Sequence, residues 1–311
     1  MADLLKSKVA IVTGAGRGIG RAVAMMMAAE GASVIVNDFG VAPDGSSFSK
    51  GPADDTVETI EKNGGKATVN YGDVSKAETG ETLAKTALET YGRLDILVNN
   101  AGILRDRMIF NMTPEEWDAV IKTHLYGVYY CTRPVCVIFR QQRSGRIVNM
   151  SSIAGLGNMG QANYSAAKEG IIGFTRTVAR DMGRYGVTCN AIRPAARTRL
   201  SDRDDLREAT ARRASAGIAG PGQLSASRAD IGWEPEDVAS FVTWLASDEA
   251  GNVNGYDFAV QGGHIALYSQ PVEVKSIDKV GGWTVAELRR VAPLTLAAGL
   301  ANPSPPAPKN P

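Results

Sequence analysis

Seven short runs rich in valine, isoleucine and leucine recur along the chain: "KVAIVT" from Lys8, "SVIVND" from Ser33, "KATVN" from Lys66, "LDILVNN" from Leu94, "GRIVNMSS" from Gly145, "GVTCNAI" from Gly186 and "YDFAV" from Tyr256. Their apolar positions are consecutive as much as alternate, which predicts strands buried on both faces. Between them, amphipathic stretches at 18–30, 54–63, 78–91, 115–140, 163–184 and 235–247 carry helical periodicity. Alternation of strand and helix implies right-handed crossovers and an α/β, doubly wound, seven-stranded parallel sheet with helices on both faces. One such domain takes up residues 1 to about 265.

Two connections exceed the roughly 2 to 6 residues usual in such units. The first, 39–54, is rich in Gly, Ser and Pro. The second, about 198–232, follows the sixth strand, where a substrate lid would lie. Residues 266–300 form a C-terminal extension with a short helix predicted in "GWTVAELRRV". The final "ANPSPPAPKNP", 301–311, is too rich in proline to pack and is expected to be disordered.

Composition removes whole classes of function. The 34 Lys and Arg against 33 Asp and Glu leave a net charge of +1, so no field points to nucleic acid or a membrane surface. No apolar run approaches the roughly 18 to 20 residues that span a bilayer. The three cysteines, Cys131, Cys136 and Cys189, are odd in number and lack metal-ligand spacing with the two histidines, His124 and His264. A reducing, cytoplasmic setting is expected, without a metal.

"VAIVTGAGRGIG" sets Gly14, Gly18 and Gly20 between the first strand and a helix, with Arg17 and Ile19 among them. Glycines there permit a tight turn and let backbone amides and the helix N-terminus approach a pyrophosphate. Asp38 ends the second strand, 18 residues after Gly20, where a carboxylate can accept the ribose hydroxyls of a dinucleotide and repel a 2′-phosphate. The pattern favours NAD. Arg17 could pair with a 2′-phosphate, which keeps NADP open.

In "QANYSAAKEG", Tyr164 and Lys168 stand four residues apart on a predicted helix and share a face. A phenol ionises near pH 10, and a nearby ammonium favours the phenolate. Lowering that value by about 3 units needs roughly 4 kcal/mol of differential stabilisation. The pair reads as a general acid/base. Ser152, ending "GRIVNMSS", can hydrogen-bond a substrate oxygen beside it.

With these pieces assembled, the chain resembles the short-chain dehydrogenase/reductase family. "TGAGRGIG", "GDV" at 72–74, "NNAG" at 99–102, "SS" at 151–152, "YSAAK" at 164–168 and Pro194 after the sixth strand occur in that family's order. The resemblance implies a Rossmann sheet, a nicotinamide cofactor, and Ser152, Tyr164 and Lys168 as the catalytic set. It places Asp73 and Val74 beside the adenine, Asn99, Asn100, Ala101 and Gly102 along the cofactor, and Pro194 and Thr198 near the nicotinamide. Counting along the strand selects Ser152, whereas counting back from Tyr164 selects Ser151; strand register favours Ser152. His124 stands where most of the family carries the asparagine of a proton relay. It is either a relay of different geometry or a satisfied histidine within a long helix.

"VNDFG" with the insertion at 39–53, "NNAGILRDR", "HLYG" and "GQANYSAAK" narrow the resemblance to the dehydrogenase module of multifunctional enzyme type 2 and its stand-alone bacterial relatives. The resemblance implies NAD-dependent oxidation of a secondary alcohol, with a (3R)-hydroxyacyl-CoA substrate or, alternatively, a 17β-type hydroxysteroid. A non-catalytic NAD-binding protein is the third reading. Met108, Ile109 and Phe110 could line an apolar wall, and Arg105, Arg107, Arg197 and Arg199 could meet CoA phosphates. The sequence lacks a C-terminal peroxisomal tripeptide, and a bacterial cytosolic enzyme is expected. A homodimer or homotetramer through helices 115–140 and 163–184 and the seventh strand is the expected assembly.

Overall fold

The computed structural model describes residues 3–42, 44, 46, 51–198 and 232–302. All seven predicted strands form: β1 (Val9–Thr13), β2 (Ser33–Asn37), β3 (Lys66–Asn70), β4 (Ile96–Asn99), β5 (Gly145–Met150), β6 (Val187–Pro194) and β7 (Asp257–Gln261). They run parallel in the order β3-β2-β1-β4-β5-β6-β7. An eighth strand, β8 (His264–Leu267), extends the predicted sheet antiparallel to β7, with Gln261 paired to His264. Gly262 and Gly263 form the two-residue turn between them, and Gly262 takes a φ of +50°. A Gly-Gly pair between short apolar runs signals such a hairpin.

Among the described residues the α-helices are α1 (Gly18–Ala29), α2 (Gly51–Lys62), α3 (Ala77–Tyr91), α4 (Pro114–Ile121), α5 (Gly127–Gln142), α6 (Ala162–Gly183), α7 (Pro235–Leu245) and α8 (Val285–Val291). Two depart from the sequence reading. α2 starts inside the connection taken as 39–54: Pro52 fixes a helical φ one residue in, and Pro52 and Ala53 are buried. The single helix expected over 115–140 is divided by a π-helical turn at Lys122–Tyr126. Such turns insert a residue into the helical ladder and re-aim side chains, frequently at functional sites. The proposed lid at 198–232 lies, but for its ends, outside the described residues, as does the tail beyond 302.

Consecutive strand residues serve opposite layers. In β1, Ala10 and Val12 pack with α1 and α7, while Val9 and Ile11 pack with α3, α5 and α6. This explains why the strand runs are apolar throughout. The strand order reverses at β1, whose neighbours are β2 on one side and β4 on the other. The crevice at the carboxyl ends of these strands is where such sheets bind ligands. Among the described residues no helix is long and apolar enough to cross a membrane.

Candidate active site

The crevice opens above the ends of β1 and β4. Gly14 turns the chain at a φ of +63°, a conformation that disfavours side chains. A Cβ on Gly20 would collide with the Gly14 carbonyl and the Asn100 amide, so the close approach of α1 depends on that glycine. Thr13 fastens the two strand ends: its Oγ1 accepts from the backbone N–H of Asn100 at 2.9 Å and of Ala101 at 3.1 Å. Asn100 answers by donating from Nδ2 to the carbonyls of Thr13 and Gly14. No side chain caps α1 at its N-cap, Arg17. The first N–H groups of the helix thus lack a side-chain cap and belong to residues, Gly18 and Ile19, that line the crevice, a setting suited to an anion.

A cavity of about 310 Å³ fills this crevice. Its walls include Gly14, Arg17, Gly18, Ile19, Asp38, Asp73, Val74, Asn100, Ala101, Gly102 and Thr198, all named from sequence as cofactor contacts. Asp38 is fixed in place, with Oδ2 accepting from Gly16 N at 2.8 Å and Oδ1 from Gly40 N at 2.6 Å. Glycine turn, uncapped helix end and anchored carboxylate fit a dinucleotide. Asn99 does not face this space. It is buried, and its Nδ2 donates to Asn149 Oδ1 at 2.8 Å and Thr132 Oγ1 at 3.1 Å. Gly20, Pro194, Tyr164 and Lys168 are not among the cavity's wall residues.

Several wall residues were not read as cofactor contacts. Ala119, Lys122 and Thr123 line the cavity; their spacing of three and four positions would have placed them on one helix face. Arg105, assigned from sequence to CoA phosphates, also lies on this wall, and its buried Nε has no hydrogen-bond partner among the described residues. Arg107 is instead engaged by Glu116, with Nε and Nη2 donating to Oε1 at 3.2 and 2.8 Å. Arg199 lies outside the described residues, and the backbone N–H of Arg197 donates to Trp233 O.

The chain between β5 and α6 supplies the polar cluster read as reactive. Asn163, fully buried, holds the start of α6 by donating from Nδ2 to the carbonyls of Arg105 and Glu116. Tyr164 follows directly. Lys168, one turn on, is 4% exposed and donates from Nζ to Met150 O at 2.6 Å. Nζ lies 5.4 Å from the centre of the Tyr164 ring, so the predicted shared face exists. The two serines differ in surroundings. Ser151 is buried and its Oγ donates to Lys168 O at 2.7 Å, whereas Ser152 Oγ accepts from Ala154 N at 3.1 Å and is the hydroxyl that works to lower the ionisation of Tyr164.

The electrostatics depart from the sequence reading. Tyr164 is half-buried, and burial pushes its hydroxyl up to about 12, against which Ser152 works in the lowering direction. Burial also presses Lys168 down to about 7. A lysine so easily discharged lends the phenol less positive charge than an exposed ammonium would. The site thus holds its proton on Tyr164 and keeps Lys168 poised near neutrality.

His124 sits in the π-helical turn, 2% exposed, and meets the Tyr164 ring edge-on at 5.1 Å between centroids. Its Nε2 lies 2.8 Å from Ile103 O and 3.1 Å from Ile103 N, while Nδ1 is buried without a partner among the described residues. Burial and then Lys168 lower its ionisation to about 3, so it is neutral. A Cβ on Gly102 would collide with His124 Cε1, which explains a glycine at the end of "NNAG". The regular helix expected around His124 is absent, and its ring is only half satisfied.

The short chain dehydrogenase family profile matches residues 8–203. The chain belongs to this family. Family members bind NAD(P), and the chain is accordingly an oxidoreductase acting on hydroxyl groups. It is 42% identical to a hydroxyacyl-CoA dehydrogenase of Mycobacterium tuberculosis over 294 residues, 91% of this chain and 87% of that one. It is 41% identical to a 3-oxoacyl-[acyl-carrier-protein] reductase of Synechocystis over 84% of this chain and 98% of the relative. Its likeness to mouse peroxisomal multifunctional enzyme type 2, 42% identical over 83% of this chain, spans 32% of that protein's length. A crystal structure of a short chain dehydrogenase from Mycobacterium avium superposes with a TM-score of 0.79 at 42% identity, covering 98% of both chains.

Proposed function

We propose that the chain oxidises the hydroxyl of a (3R)-hydroxyacyl-CoA to the ketone, using NAD. The observation that carries this reading is the cluster of Ser152, Tyr164 and Lys168, with Lys168 Nζ anchored on Met150 O and 5.4 Å from the Tyr164 ring centre, at the carboxyl edge of a sheet whose neighbouring crevice fits a dinucleotide. When bound, the nicotinamide supplies the hydride acceptor. Ser152 orients the substrate oxygen, Tyr164 moves its proton, and Lys168, able to exchange a proton near neutral pH, serves Tyr164 from behind. His124 is read as the neutral wall of the same site, its Nδ1, without a partner among the described residues, available for one further hydrogen bond.

Asp38 supports NAD, since a carboxylate already fixed by two backbone donors faces a 2′-phosphate with like charge. The relative named for hydroxyacyl-CoA, matched over 87% of its length, supports the substrate class. Met108, Ile109 and Phe110, at 39, 63 and 76% exposure, offer an apolar surface for an acyl chain. The carrier-protein reductase, matched over 98% of its length, favours a second reading in which a 3-oxoacyl thioester is reduced by the same residues. A homo-oligomer is supported by exposed Tyr126 at the end of the π-helical turn, Tyr129 and Val137 along α5, and Ile265 and Leu267 on the edge strand β8.

The test compares kcat/KM for a (3R)-hydroxyacyl-CoA, its carrier-protein counterpart and a 17β-hydroxysteroid, with NAD and with NADP. The proposal expects the CoA thioester with NAD to lead. A lead for the steroid, or turnover of none, overturns it.

A further inference from the structure

Beneath Ser152, on the sheet face covered by α6, lies a buried guanidinium with no part in the chemistry above. Arg193 on β6 is 3% exposed and Asp257 on β7 is 1% exposed. Ala191 pairs with Asp257 and Arg193 with Ala259, so parallel register puts these side chains on one face. The guanidinium divides its donors among three segments. Nε donates to Asp257 Oδ2 at 2.8 Å, Nη1 to Ser152 O at 3.0 Å, and Nη2 reaches Glu169 Oε2 at 3.0 Å. Tyr268, just beyond β8, lies against it at 4.9 Å from ring centre to Cζ. Arg176 adds a second cation to Asp257 at 3.3 Å, so two guanidiniums face two carboxylates.

The placement is specific. Glu169 follows Lys168, and Ser152 O belongs to the strand end whose Met150 O and Ser151 Oγ both touch Lys168. A Cβ on Gly155 would come within 2.7 Å of Glu169 Oε2 and 3.1 Å of Arg193 Nη1, so the turn after Ser152 closes directly over the guanidinium. Burying such charges costs several kcal/mol that their attraction only offsets, and apolar side chains of similar volume serve stability as well. What apolar side chains cannot do is hold three chain segments in fixed directions. An arginine fork can.

We propose that Arg193, held by Asp257, is a positioning residue that fixes the Met150–Ser152 strand end against the turn carrying Lys168. The inference rests on Ser152, Tyr164 and Lys168 being the reactive set.

Arg193→Lys keeps a cation beside Asp257 but cannot also reach Ser152 O and Glu169. We expect kcat to fall by about tenfold to a hundredfold with KM for both substrates little changed. We also expect the ionisation of Lys168, followed without cofactor by NMR of isotope-labelled lysine and assigned with Lys168→Met, to move upward as the strand end loosens. A lower Tm with kcat and the Lys168 titration both unchanged overturns the proposal. Should Arg193→Lys fail to fold, Arg193→Met with Asp257→Asn removes both buried charges together and faces the same two readouts. If the parent protein turns over no hydroxyacyl thioester, the proposed function falls, and the Lys168 titration still decides the role of Arg193.

Discussion

Lys168 stands 5.4 Å from the centre of the Tyr164 ring, yet its Nζ is spent on the Met150 carbonyl at 2.6 Å. The lysine is therefore held near the phenol by the backbone of β5. Lys168→Met should remove both the anchor and the proton exchange, lowering kcat by about a hundredfold or more. Steady-state kinetics at neutral pH check this, and kcat within a few-fold of the parent contradicts it.

The two serines should separate cleanly. Ser152→Ala removes the hydroxyl that meets Tyr164, and kcat should fall by about a hundredfold with Tm nearly unchanged. Ser151→Ala removes a buried bond to Lys168 O and should cost about 1 kcal/mol of stability with a smaller loss of turnover. Reversal of the two patterns would assign the site to Ser151.

His124 makes stability depend on acid. Its folded value, about 3, lies below the ordinary 6.5, so the unfolded chain binds the extra proton between those limits. Stability from the neutral ring is complete above the ordinary value and is lost as pH falls. About 2 kcal/mol should disappear by about pH 5. His124→Asn should lack this slope, as urea unfolding at the two pH values would show. Parallel losses in both proteins refute the assignment.

Asp38→Asn should lower the preference for NAD over NADP by about tenfold or more, since the repelling charge goes while the amide oxygen still accepts one of the two backbone N–H groups. The ratio of kcat/KM for the two cofactors measures it. An unchanged ratio would move the discrimination elsewhere, to Arg17 or Arg105.

The layers of the fold were legible because each strand run is apolar on both faces and each helix on one, as in Val9 to Thr13 and the residues that pack on them. The glycine turn was legible because a tight turn and a close backbone approach call for glycine, and Asp38 because a ribose-binding carboxylate belongs at the end of the second strand. Three features were not. The π turn around His124 has no periodicity of its own and is set by packing against Gly102 and Ile103. The raised ionisation of Tyr164 comes from enclosure, which spacing along a helix does not report. The link from Arg193 to Ser152 joins residues 41 positions apart and needed the sheet register to appear.

In the proposed reaction Tyr164 is the group that moves the proton. The most direct measurement is NADH formation from a (3R)-hydroxyacyl-CoA by the parent protein and by Tyr164→Phe, with NAD binding followed separately by calorimetry. Turnover in the parent, loss of at least about a hundredfold in the variant and equal NAD affinity are predicted. Undiminished NADH formation by Tyr164→Phe would contradict the account.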